Sequence, residues 1–220
     1  MSRSALALFA LLALLPAAAR CSAAPRGGNA APHDGELVRA SCSHARYPDL
    51  CLRTLNSYAG PTDNPRDVAR AALKISLARA RRASSYLSGQ ASGLRSKRER
   101  GALADCLEQL SDSVDELRQS VAELKRLRGG EELRWQLSNA ETWVSAALTN
   151  EDTCLDGFQE ADGTVKDDVR GKITDVARVT SNALYLINRL DEITSRRRSG
   201  RKRRPARRGG FVTVGDDGRL

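Results

Sequence analysis

The sequence predicts an all-α protein: an up-and-down antiparallel four-helix bundle that carries an N-terminal helical hairpin. Three observations predict it. Four stretches between residues 65 and 194 repeat apolar residues at spacings of three and four, the period of a helix with one buried face. The linkers between them hold few residues, which favours antiparallel neighbours. No strand-like alternation occurs before Phe211.

The chain begins with what reads as a signal peptide, residues 1–23. Arg3 supplies a positive start, Ala5 to Leu15 an apolar run, and Ala17, Ala19 and Ala23 small residues for cleavage. A membrane anchor is the competing reading, and the apolar run is short for a bilayer span. Residues 24–34 are rich in Gly, Pro and Ala and read as a flexible linker. The hairpin, residues 35–60, contains Cys42, Pro48 and Cys51. It is too short to hold a core and must pack on something larger. The sequence GPTDNP at 60–65 is turn chemistry.

The bundle is expected over residues 64–195. Its first helix runs from Pro65 to about Leu87, with Asn64 as N-cap and Val68, Ala72, Ile75 and Ala78 on one face. The second runs from about Ser96 to Leu127. Its stripe is Leu103, Cys106 with Leu107, Leu110, Val114, Leu117, Val121 and Leu124, and Gly129–Gly130 ends it. The third runs from about Glu131 to Asn150, with a continuation or a kink beyond, since Cys154 and Phe158 prolong the same face. The fourth runs from about Thr164 to Thr194 on Val165, Val169, Ile173, Val176, Thr180, Ala183, Ile187 and Leu190. Residues 196–220 read as a basic, disordered tail. Its run RRRSGRKRRPARR is either a solvated tail or a processing site for basic-specific proteases.

A formal net charge of +9 invites a nucleic-acid reading, but the charge is concentrated at the ends. Nine bases lie in 196–208 and two in the leader, and residues 24–195 carry a net −1. A basic globular face for nucleic acid is therefore not expected. No phosphate loop, serine elbow or histidine metal motif occurs. Neither a cofactor nor a metal is expected, and the chain does not read as an enzyme.

The five cysteines are Cys21, Cys42, Cys51, Cys106 and Cys154. Cleavage after Ala23 leaves four, and an even number in a secreted chain suggests two disulfides. Cleavage after Ala19 would leave Cys21 as an odd thiol. Three pairings are possible from four cysteines. Cys42–Cys51 and Cys106–Cys154 join segments that the helical reading makes adjacent. A zinc site would want closely spaced Cys/His pairs, and the only histidines are His33 and His44.

Several blocks in order carry a resemblance: Tyr47-Pro48-Asp49-Leu50-Cys51, Ala104-Asp105-Cys106-Leu107-Glu108, Val114-Asp115-Glu116-Leu117, Trp143 to Thr149, Asp152 to Phe158, and Ser181-Asn182-Ala183-Leu184. The chain resembles the plant invertase and pectin methylesterase inhibitor family from about Glu36 to Ile193, most closely on the pectin methylesterase side. The resemblance implies a secreted bundle of the apoplast or cell wall, with the same two disulfides and no membrane attachment after signal cleavage. It implies a 1:1 complex in which the bundle lies over the esterase's pectin-binding cleft. The matching contact positions are Glu108, Asp112, Asp115, Thr153 and Asp156. The first three fall at i, i+4, i+7 on one polar helix face, and such an acidic face is expected to dock less well as pH falls near 4. Two other roles stay open: inhibition of acid invertase, and service as the inhibitory or chaperone pro-region of a pectin methylesterase precursor. The basic tail followed by Gly209-Gly210-Phe211 looks like the junction of such a precursor.

Overall fold

The computed structural model describes residues 32–94, 96–159 and 164–202. The leader with Cys21 and the chain beyond Lys202 lie outside these residues. Six helices follow in order: α1 (Pro32–Cys42), α2 (Pro48–Asn56), α3 (Pro65–Gln90), α4 (Lys97–Lys125), α5 (Glu131–Gly157) and α6 (Thr164–Lys202). A single 3₁₀ turn, Ala91–Gly93, links α3 to α4. The long helices pack as a ring in which α3 touches α4, α4 touches α5, α5 touches α6, and α6 returns to α3. Among the described residues there is no strand.

Local chemistry sets the boundaries. The Asn64 side chain accepts a hydrogen bond from the Asp67 amide at 3.0 Å, and Pro65 occupies the first turn of α3, where its missing N–H costs nothing. Arg66 closes the far end of α4 by donating to the carbonyls of Leu124 and Lys125, each at 3.1 Å. Gly130 takes φ +81° at the turn into α5, a conformation that side-chain-bearing residues seldom adopt. Gln136 locks that turn, accepting from the Arg128 amide at 2.8 Å and donating to the Arg126 carbonyl at 3.1 Å.

The hairpin is α1 and α2 closed by Cys42–Cys51, and it sits on α3 and α6. Asn182 fixes it there: its side chain accepts from the Tyr47 amide and donates to the Tyr47 carbonyl, both at 3.0 Å. The second disulfide, Cys106–Cys154, brings the start of α4 to the end of α5 with Cα atoms 4.4 Å apart. Both bridges follow the pairing expected from the helical reading.

Three details differ from the sequence reading, and one alternative left open there is decided. First, α1 begins at Pro32, inside the stretch read as a linker, because a proline suits a first helical turn. Second, of the continuation and the kink left open beyond Asn150, the continuation is found: α5 runs without a break, the Asn150 side chain donates to Glu116 Oε2 at 3.0 Å, and Cys154 and Phe158 continue the buried face. Third, α6 extends to Lys202, into the stretch read as a disordered tail. Arginines are good helix formers, positive charge suits a helix C-terminus, and the chain meets no proline before Pro205. Fourth, α4 turns Ser113 and Ser120 fully inward and leaves Val114 and Val121 half-buried. The serines permit close approach to α5, where Ser120 Oγ donates to the Ala140 carbonyl at 3.3 Å.

Candidate docking surface

The outer faces of α4 and α5 form an acidic surface. Helix α4 holds seven acidic residues against five bases, and α5 holds six against one, all but the buried Glu151 reaching the surface. The opposite pair has the reverse balance on α3, with six bases against one acid, while α6 carries five of each up to Ser195 and gains five further bases between Arg196 and Lys202. The net −1 of residues 24–195 thus conceals an acidic α4/α5 pair and a basic α3, with α6 balanced over that range.

Glu108, Asp112 and Asp115 are all exposed on α4. Asp115 is engaged by Arg118 one turn on, an exposed pair that adds little stability. Beside them Glu116 turns towards α5 and holds Asn150. Burial raises its carboxyl pKa, the Asn150 hydrogen bond opposes that, and nearby Asp112 adds to the rise.

Thr153 and Asp156 are exposed on α5. The Thr153 hydroxyl donates to the Thr149 carbonyl of its own helix at 2.8 Å, so it meets a partner chiefly as an acceptor. Asp156 accepts from Gln159 Nε2 at 2.7 Å. It borders a groove shared with Lys166, Arg170 and Thr174 of α6. The five positions therefore form one row on α4 and a separate pair on α5, and Asp156 leans to the α6 side of that pair.

Two residues near this surface escape a reading by charge spacing. Trp135 is 72% exposed. It stands 7, 14 and 21 residues before Thr142, Thr149 and Asp156, so it occupies the same outward stripe at the other end of α5. Asp105 lines a shallow groove at the stapled end, with Ala102, Gly101 and Gly157.

Behind the surface lies a buried carboxyl. Glu151 is 0% exposed, at the centre of a network that takes one residue from each long helix. Ser113 Oγ of α4 donates to Glu151 Oε1 at 2.8 Å, and Thr180 Oγ1 of α6 does so at 3.0 Å. Ser76 of α3 meets Thr180 at 2.6 Å. Oε2 has no hydrogen-bond partner among the described residues. Burial pushes the Glu151 pKa up to about 8, against the two hydroxyl bonds, with smaller upward contributions from Asp152 and Glu116. The group is therefore neutral across acidic and neutral pH. The signal was present in the sequence: Glu151 falls four residues after Ala147 and three before Cys154, on the apolar stripe.

Comparison with known proteins agrees with this architecture. Residues 36–186 match the family model described as plant invertase/pectin methylesterase inhibitor. Pectinesterase inhibitor 3 of Arabidopsis thaliana is 54% identical over 169 residues, 73% of this chain and 82% of the relative. A 21 kDa protein of Daucus carota is 40% identical over 86% of this chain and 95% of its own length. The fold is shared with a crystal structure of a mutant pectin methylesterase inhibitor from Arabidopsis, at TM-score 0.57 and 22% identity, covering 67% of this chain and 92% of that one. With the match spanning the hairpin, both disulfides and most of the four-helix ring, the chain belongs to the plant invertase/pectin methylesterase inhibitor family.

Proposed function

We propose that the chain inhibits a pectin methylesterase by laying the outer face of α4 and α5 over the enzyme's pectin-binding cleft. Glu108, Asp112 and Asp115 form the charged row, Thr153 and Asp156 the second edge, and Trp135 an apolar anchor. The observation that carries this reading is the exposed acidic α4/α5 face on a chain 54% identical to a protein named pectinesterase inhibitor 3. A cleft that accepts de-esterified pectin must tolerate a polyanion, and the cations that do so would meet these carboxylates. Glu108, Asp112 and Asp115 stand exposed along the outer side of one helix, an arrangement that suits docking rather than acid–base chemistry.

The partner is expected to bind 1:1, in the apoplast or cell wall, with secretion directed by residues 1–23. Titrating methanol release by a pectin methylesterase tests the reading, with sucrose hydrolysis by acid invertase in parallel. Stoichiometric loss of methanol release with invertase unaffected is expected. Unchanged esterase activity at micromolar protein would overturn the proposal.

A further inference from the structure

The α3/α6 side of the bundle carries a groove that the docking surface does not use, lined by three bases and three acids of which Arg79 and Asp175 are paired. It lies along the α3/α6 seam, on the pair of helices opposite α4/α5. Its walls include Arg82, Tyr86, Asp167, Asp168 and Lys172, and Arg79 bridged to Asp175 closes one part of it. Arg82 and Lys172 are both exposed, and neither has a carboxylate within ion-pair distance among the described residues. The Lys172 ammonium lies 4.4 Å from the centre of the Tyr86 ring. Tyr86 is 38% exposed, and its hydroxyl donates to Asp168 Oδ2 at 2.8 Å, which fixes the ring in the groove wall.

We propose that this groove binds a polyuronate chain, the de-esterified form of pectin, whose free carboxylates meet Arg82 and Lys172 beside the Tyr86 ring. The assignment rests on the reading that the target is a pectin methylesterase, because that enzyme converts neutral methyl esters into carboxylates. The lining fits a sugar acid better than a denser polyanion. Cations meet its carboxylates, an aromatic ring offers an apolar surface to the pyranose, and Asp167 and Asp168 accept from hydroxyls. A sulfated or phosphorylated chain would bring more negative charge against those same aspartates and fewer hydroxyls to use them. The net charge of α3, six bases to one acid, adds attraction along the seam. With the acidic face on the enzyme and the Arg82/Lys172 groove on its product, the inhibitor is retained where de-esterification has taken place.

The test uses the full chain, so that the basic tail is present in every sample. Affinity for polygalacturonate, for highly methyl-esterified pectin and for heparin is measured for the wild type and for the double variant Arg82→Gln/Lys172→Gln. Inhibition of the esterase is measured alongside. The expected result is roughly tenfold weaker polygalacturonate binding by the double variant, little change on heparin, weak binding of esterified pectin by both, and unaltered inhibition. Wild-type affinity of the double variant for polygalacturonate would overturn the proposal, as would an equal loss on heparin. Equal wild-type binding of esterified and de-esterified pectin would also overturn it. If the variant loses polygalacturonate but the wild type does not inhibit the esterase, the groove stands and the proposed target falls.

Discussion

The two halves of the bundle are built differently. Helices α4 and α5 are rich in carboxylates and joined by a disulfide, whereas α3 is rich in bases, α6 is balanced up to Ser195, and those two are joined only by side-chain contacts. The Arg79–Asp175 ion pair, the Tyr86–Asp168 hydrogen bond and the Ser76–Thr180 contact hold α3 to α6. Like charges on neighbouring helices repel, and the acidic pair offsets that repulsion with a covalent link and a neutral Glu151. Attraction between opposite halves across the ring works in the same direction, although solvent screens it at the surface. The difference teaches that a near-zero net charge can hide two surfaces of opposite use.

The centre between the halves gives the largest expected effect. Glu151 titrates near 8 when folded and near 4.5 when exposed, so the folded chain holds one proton more than the unfolded chain between these values. The stabilising contribution of the neutral form is complete below about pH 4.5 and is lost as pH rises towards 8. The loss is on the order of 4 kcal/mol at about 1.4 kcal/mol per pH unit. Glu151→Gln removes the titration and keeps an acceptor for Ser113 and Thr180. Urea melts at pH 5 and pH 8 should show a pH-sensitive wild type and a flatter variant. A wild type equally stable at both pH values would contradict this account of the core.

The covalent link comes next. Converting Cys106 and Cys154 together to serine opens a 48-residue separation and should cost about 4 kcal/mol on the chain-entropy account. The Cys42–Cys51 pair closes a separation of 9 and should cost about 3 kcal/mol. Denaturant midpoints measured for both double variants would show whether the acidic half depends more on its bridge. A smaller drop for Cys106/Cys154 would reverse the comparison. Smaller again is Trp135→Ala, which should weaken esterase inhibition by about 1–2 kcal/mol with the thermal midpoint unchanged, as for an exposed anchor at an interface. Titration of the wild type and variant side by side measures it; equal inhibition would remove Trp135 from the surface.

The helical ring was legible because each long helix repeats an apolar face, and the disulfides were legible because antiparallel helices bring their opposite ends together. Glu108, Asp112 and Asp115 were legible as a row because their spacing keeps them on one side of α4. The uneven charge of the helices was hidden by summation, since the −1 of residues 24–195 reports no arrangement in space. Glu151 was masked by its polar neighbours Asn150 and Asp152, although its own spacing from Ala147 and Cys154 sets it on the apolar stripe. The inward turn of Ser113 and Ser120 in place of Val114 and Val121 follows from that same carboxyl and from close α4/α5 contact, neither of which apolar periodicity encodes.

The most direct measurement compares inhibition of methanol release by three proteins: the wild type, Glu108→Lys/Asp112→Lys on the acidic face, and Arg82→Gln/Lys172→Gln in the α3/α6 groove. The expected result is a loss on the order of 100-fold, about 3 kcal/mol, for the first variant and none for the second. Full inhibition by the acidic-face variant, or loss only with the groove variant, would contradict docking through α4 and α5.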